Sequence, residues 1–211
     1  MRTKYDVLMV LLASSTPLYS QIIGVIAGLL AACSFAPYIR SILRGTTKPH
    51  RASYGIWSLL SMIILVSYFV TGARGTIWLL LSITSLQTIV FILSFKYGMG
   101  GFQRLDVVCL TGAVIGLIVW AVTENPLTAL YVSIFIEVLG WIPTIKKTYL
   151  YPQTENLATW LIALCAASVN LFAITEFALK IYLYPVYVLI SDVIMVSLIV
   201  QRSQAKKLKS L

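Results

Sequence analysis

Apolar residues in this chain fall in long, nearly unbroken runs rather than in alternating or one-faced patterns. A helix crossing a bilayer needs roughly 20 mostly apolar residues. Seven stretches come close to or reach that length, at about Gln21–Leu43, Ala52–Gly72, Thr76–Phe95, Leu105–Thr123, Pro126–Ile145, Leu157–Thr175 and Ile181–Val200. The pattern predicts an all-α, polytopic membrane protein with seven transmembrane helices. Short breaks separate the runs. Gly72 to Gly75 reads as a turn by its glycines, Tyr97 to Gly101 as a flexible link, and Glu124 to Pro126 as a turn whose proline suits a helix start. The run Val7–Ala13 is too short to span. Arg2 and Lys4 before it and small residues after it give a faint signal-peptide pattern; a short interfacial or disordered lead is the preferred expectation.

One stretch occurs twice. PYIRSILRGTTKPHRASYGIW, Pro37 to Trp57, and PTIKKTYLYPQTENLATWLIA, Pro143 to Ala163, lie at a constant offset of 106 residues without a gap. Pro37 meets Pro143, Arg40 meets Lys146, Ala52 meets Ala158, Tyr54 meets Trp160 and Ile56 meets Ile162. The register continues, with Arg74 on Lys180, Ser85 on Ser191 and Lys96 on Arg202. Spans one to three therefore match spans five to seven, and the fourth has no counterpart. An odd linker span makes the two units parallel, and parallel repeats enclose a site between the halves near the membrane midplane. The expected organisation is a lead over 1–20, a three-helix repeat over 21–97, a linker helix over 98–124, a second repeat over 125–202 and a basic cytoplasmic tail over 203–211.

Composition agrees with this picture. Apolar residues make up 59% and charged residues 11% of the chain, against about 25% charged in ordinary soluble domains. The net charge of +9 does not point to nucleic acid, because the cations fall between the apolar runs. Twelve of the sixteen lysines and arginines lie in one set of loops, including Arg40, Arg44, Lys48, Arg51, Lys146, Lys147 and the tail. The positive-inside bias then puts the N-terminus outside and the C-terminus in the cytoplasm, with Arg2 and Lys4 against the trend. These loop cations are expected to set topology and attract anionic lipid. The lone His50 is expected to be solvated or to face lipid headgroups. Cys33, Cys109 and Cys165 fit no metal spacing and read as small membrane-buried residues. No nucleophile, base and orienting group can be assembled, and no glycine loop for phosphate is present. Neither an enzyme nor a cofactor is expected.

Three helices, a linker and three helices, with a proline near the cytoplasmic end of the first helix of each unit, resemble the SWEET and PQ-loop superfamily. The topology is similar to that of the PnuC vitamin transporters. Stretches such as PYIRSILRGTTKPHRA, FKYGMGGFQRLD and IPTIKKTYLYP are similar to those of uncharacterised prokaryotic membrane proteins. The resemblance covers about Gln21 to Arg202 and implies an inner (plasma) membrane location. Tyr38 after Pro37 and Thr144 after Pro143 stand where the family has glutamine. Gln87 and Asp192 stand at the depth where SWEET-type carriers place an asparagine.

Polar residues inside the spans are the candidates for chemistry. Glu137 and Asp192 sit in mid-span, where a charge costs roughly 2.5–3.5 kcal/mol on insertion scales and so faces a cavity or a partner. They read as substrate-binding or proton-coupling groups, or as neutral carboxyls bonded to a neighbouring helix. Asn170 and Gln87 read equally as ligand contacts or interhelical glue. Trp57 and Trp160 are either interfacial-belt residues or an aromatic clamp on a ligand ring; Trp141 defaults to the belt. Pro37 and Pro143, inside helices, each remove a hydrogen bond and permit a kink, and read as hinges. Together these residues suggest a transporter or facilitator of a small solute (sugar, vitamin, nucleoside or similar) working by alternating access. The alternative is a seven-helix receptor or sorting module that binds without transporting. The expected partners are the small-molecule solute and membrane lipid, with protons as a candidate coupling ion. A monomer suffices for a complete path, and a homo-oligomer stays open.

Overall fold

The computed structural model describes residues 17–71, 75–100, 104–123 and 126–209. These residues form seven α-helices: α1 (Leu18–Leu43), α2 (Arg51–Thr71), α3 (Ile77–Tyr97), α4 (Arg104–Thr123), α5 (Pro126–Leu150), α6 (Leu157–Leu171) and α7 (Leu179–Lys209). A single 3-10 turn, Pro152–Thr154, lies between α5 and α6. The lead expected over the first residues falls outside the described residues up to residue 16, as do most of the Gly72–Gly75 turn and Arg74.

The fold is all-α. By length and composition, α1, α3 and the Leu179–Ala205 part of α7 can each cross a membrane. Large apolar side chains such as Phe95 (63% exposed) and Phe135 (66%) face outward, while many serines and threonines are buried. This inverted polarity is compatible with a membrane location.

Three boundaries differ from the sequence reading. α5 continues past Ile145 to Leu150 and stops only at Tyr151-Pro152, because Lys146 to Leu150 are ordinary helix formers. α6 ends at Leu171 rather than near Thr175. Just beyond this end, the Ala173 carbonyl accepts a 2.6 Å hydrogen bond from Ser20 Oγ of α1. α7 carries through to Lys209, so the expected tail is helical there; it contains no glycine or proline to stop it.

α3 contacts both α1 and α2, and α7 contacts both α5 and α6. α1 packs on α6, α2 packs on α5, and α4 lies against α5 and α2. Exchanging α1–α3 with α5–α7 leaves all of these pairings except those of α4 unchanged. The α1–α3 seam is tight. A Cβ at Gly24 would run into the Gly75 carbonyl oxygen, and one at Gly28 would lie 2.8 Å from the Trp78 carbonyl oxygen. These two glycines, four residues apart on α1, let two backbones approach.

Prolines interrupt three helices: Pro37 in α1, Pro143 in α5 and Pro185 in α7. A proline frees the carbonyl four residues earlier. At Pro185 that carbonyl belongs to Ile181, and it accepts a 3.0 Å hydrogen bond from Tyr68 Oη of α2. The carbonyl freed by Pro185 is thus satisfied from α2.

A Gly28→Ala substitution should destabilise the bundle by about 1–3 kcal/mol through overpacking against rigid backbone. Thermal melting of the detergent-solubilised protein would show this as a lowered midpoint, whereas Gly45→Ala, with nothing within 4 Å of the new Cβ, should lose only the small cost of its positive φ.

Candidate functional site

The candidate site is built by six of the seven helices around a cavity at the bundle's centre. Among the described residues, side chains from α1, α2, α3, α5, α6 and α7 line it and none comes from α4. About 80 Å³ is open to the centres of water-sized molecules, room for several waters at roughly 10–15 Å³ each.

Aromatic rings form one wall. Tyr38 and Tyr54 stack with centroids 5.9 Å apart, Tyr54 meets Trp57 edge-on at 5.2 Å, Trp57 meets Trp141 at 4.7 Å and Trp141 meets Trp160 at 5.6 Å. The strip runs from α1 through α2 and α5 to α6. Each indole N–H is already anchored. Trp57 Nε1 donates to the Glu137 carbonyl (3.2 Å), Trp141 Nε1 to Tyr187 Oη (2.8 Å) and Trp160 Nε1 to Glu155 Oε2 (3.0 Å). The cavity therefore meets indole rings rather than free indole N–H donors. Trp57 and Trp160 are buried and Trp141 lines the cavity, so all three belong to the interior, and the belt expected for Trp141 is not where it lies.

Polar groups interrupt this wall. Glu137 from α5, Gln87 from α3 and Asp192 from α7 all reach the cavity, with Thr159 and Tyr38 beside them. Gln87 Oε1, Thr159 Oγ1 and Asp192 Oδ2 are buried without a protein hydrogen-bond partner, whereas the buried Tyr38 hydroxyl lies against the Tyr54 hydroxyl and the Glu155 carboxylate. A buried polar atom left unsatisfied costs about 1–3 kcal/mol, so three of them around one space are a strong pull on a polar occupant. Among the described residues, no lysine, arginine or histidine lines the cavity.

Five of the six sequence-predicted binding residues thus come together: Trp57, Gln87, Glu137, Trp160 and Asp192. Asn170 does not join them. It lies one residue from the end of α6, fully buried, with neither carboxamide atom bonded. Pro37 lies in α1 beside the cavity residue Tyr38. Pro143 follows Trp141 in α5 and lines a second compartment of about 250 Å³. The tyrosines Tyr38, Tyr54, Tyr184 and Tyr187 were invisible as site residues in the sequence, because an aromatic in an apolar run reads as packing.

The end of the bundle that carries the α1–α2, α3–α4 and α5–α6 connections is tied by a buried ion pair. Lys147 of α5 pairs with Glu155 in the loop before α6. Lys147 Nζ also donates to the Lys48 carbonyl (2.9 Å) in the α1–α2 loop, and the Lys48 amide donates to the Thr154 carbonyl (3.3 Å). Glu155 acts electrostatically on Tyr38 and Tyr54 and anchors Trp160, a cavity residue. Lys147 also lines the second compartment, with His50, Asp106, Lys146 and Tyr151 among others. His50 is buried, with Nε2 3.6 Å from an Asp106 oxygen. The sequence reading had Lys147 as a topology marker and His50 as a solvated or headgroup-facing residue; both are interior groups with acidic partners. Burial pushes the His50 imidazole below its ordinary value of 6.5; Asp106 and Glu155 pull it up and Lys147 pushes it further down.

Comparison of the chain with protein-family models, with curated proteins and with solved structures gives no match.

Glu155→Gln leaves a buried, unpaired ammonium and should cost about 3–5 kcal/mol, whereas Lys147→Met with Glu155→Gln should recover most of it. A double-mutant cycle on thermal or denaturant unfolding measures the coupling. Because the folded-state value of His50 is depressed, only the unfolded chain takes up this proton between the two values. Its contribution is complete above about pH 6.5 and shrinks as the pH falls toward the folded-state value. The drop in melting temperature from pH 7 to pH 5 should therefore be smaller in His50→Asn than in the unsubstituted protein.

Proposed function

We propose that this chain is a transporter or facilitator of a small polar solute, with seven spans arranged as two parallel three-helix units joined by α4. The observation that carries this reading is the central cavity, in which an aromatic strip and three unsatisfied polar atoms converge from all six repeat helices. The 106-residue sequence register and the matched pairings of α1–α3 with α5–α7 support the duplicated arrangement. The resemblance to the SWEET and PQ-loop superfamily points the same way. The positive-inside bias supports a cytoplasmic C-terminus and an outside N-terminus, in a prokaryotic plasma membrane.

Alternating access needs helices that bend without losing their packing. Pro37, Pro143 and Pro185 supply bends in α1, α5 and α7, each within a few residues of a cavity residue. Solute would enter from one end while the Lys147–Glu155 tie closes the other, and would leave once that tie opens. A membrane receptor that binds but does not move its ligand is the competing reading, favoured by the same tie if it never opens.

Flux decides between them. Purified protein in liposomes should take up at least one member of a panel of labelled sugars, nucleosides, vitamins and amino acids. Replacing Gln87, Glu137 and Asp192 together with apolar residues should lower the rate on the order of tenfold or more, the effect of losing one or two buried hydrogen bonds to a ligand. Flux unaffected by that replacement removes the site assignment, and ligand binding with no flux under any condition replaces transport with reception. Pro37→Ala and Pro143→Ala should slow flux while leaving ligand affinity nearly unchanged.

A further inference from the structure

The solute-site reading leaves open what the cavity selects, and its walls are chemically one-sided. Two side chains on the wall carry carboxyl groups, Glu137 and Asp192, and among the described residues no cationic side chain lines the cavity with them. The nearest buried ammonium among the described residues, Lys147, is held by Glu155 and the Lys48 carbonyl. Glu137 has the Tyr187 hydroxyl as a partner, but Asp192 Oδ2 has none. A carboxylate closed off from water needs a compensating charge or a proton. The remaining orphan atoms take a donor, since Gln87 Oε1 can only accept and the Thr159 hydroxyl oxygen can accept as well.

The aromatic strip narrows the choice. With the N–H groups of Trp57, Trp141 and Trp160 spent on internal acceptors, the rings that line the cavity can stack on a flat group or attract a cation to an electron-rich face. A hard metal ion fits poorly, because such ions take six to eight oxygen ligands. Among the described residues no cluster of three metal-binding side chains exists. An anion would meet two carboxyl groups and no counter-charge.

We infer that the solute recognised here is a small organic cation, an ammonium or amidinium-type group that donates to Asp192 and Glu137 while its apolar or ring portion lies against the tryptophan strip. This inference rests on the cavity being a solute site, and its test separates the two. The probes are benzylammonium, benzyl alcohol and benzoate, which share one ring and differ in head-group charge. Binding to the full-length protein in nanodiscs is followed by calorimetry and by tryptophan fluorescence. Benzylammonium should bind on the order of tenfold or more tightly than benzyl alcohol, the value of one charge-assisted hydrogen bond, and benzoate more weakly than either. Asp192→Asn should bring benzylammonium to the level of benzyl alcohol, and Glu137→Gln should reduce the preference. An unchanged tryptophan emission spectrum and melting temperature of each unliganded variant show that the cavity is still formed. Benzyl alcohol binding as tightly as benzylammonium overturns the inference and leaves the solute site standing. So does a cation preference that survives both substitutions, because the charge is then read elsewhere. If none of the three probes binds, the solute-site reading falls with it.

Discussion

The constraint on which this structure depends is the inversion of polarity. The outer surface is apolar, so polar side chains within the helices have only the interior in which to find partners. Most of them do so locally. Ser34 donates to Ala31, Ser58 to Tyr54 and Thr88 to Thr84, each closing on its own helix. Others cross between helices, as Ser20 does to Ala173 and Tyr68 to Ile181. What is left after this accounting falls partly at the cavity. Gln87, Thr159 and Asp192 end unsatisfied around it, while Thr84, Thr144, Thr148 and Asn170 end unsatisfied elsewhere in the interior.

The sequence displayed the parts of this arrangement that polarity alone encodes. Apolar runs gave the helices to within a few residues, and polar residues inside those runs gave Gln87, Glu137 and Asp192. The same signal also gave Asn170, which is buried away from the cavity. A polar residue in an apolar helix reports that it faces inward; it does not report what it faces. That depends on helix rotation and neighbours, which are set by packing. Aromatics carry still less information, since a tryptophan can face lipid, the interface or a ligand with the same local pattern. Trp141 was indistinguishable in sequence from a belt residue, yet two other indoles and Tyr187 surround it. Lys147 and Glu155 were obscured for another reason. Their pairing is made by the 3-10 turn at Pro152–Thr154, and Lys147 sits in a basic cluster that already had a sufficient explanation.

The two segments matched at an offset of 106 residues differ where they line the site. At the positions of Glu137 and Asp192, the first copy has Ala31 and Leu86. Ala31 still lines the cavity, so the matched position is kept while the chemistry is not. The same holds at the tied end. Ser41, the counterpart of Lys147, donates 2.7 Å to Thr47 Oγ1, so a neutral hydroxyl pair stands at its helix-to-loop corner. The second copy uses an ion pair there. At these three matched positions only the second segment carries an ionisable group.

An ionic tie suits a contact that must both hold and open. Taking two charges out of water costs nearly as much as their attraction returns, so a buried pair adds little net stability over an apolar contact of the same shape. Losing only one partner is costly, which keeps the closed arrangement specific. Water reaching Lys147 and Glu155 together would solvate both ions and remove most of the penalty for parting them. Lys147 lines the second compartment, so water held there would meet the ammonium side of the pair first.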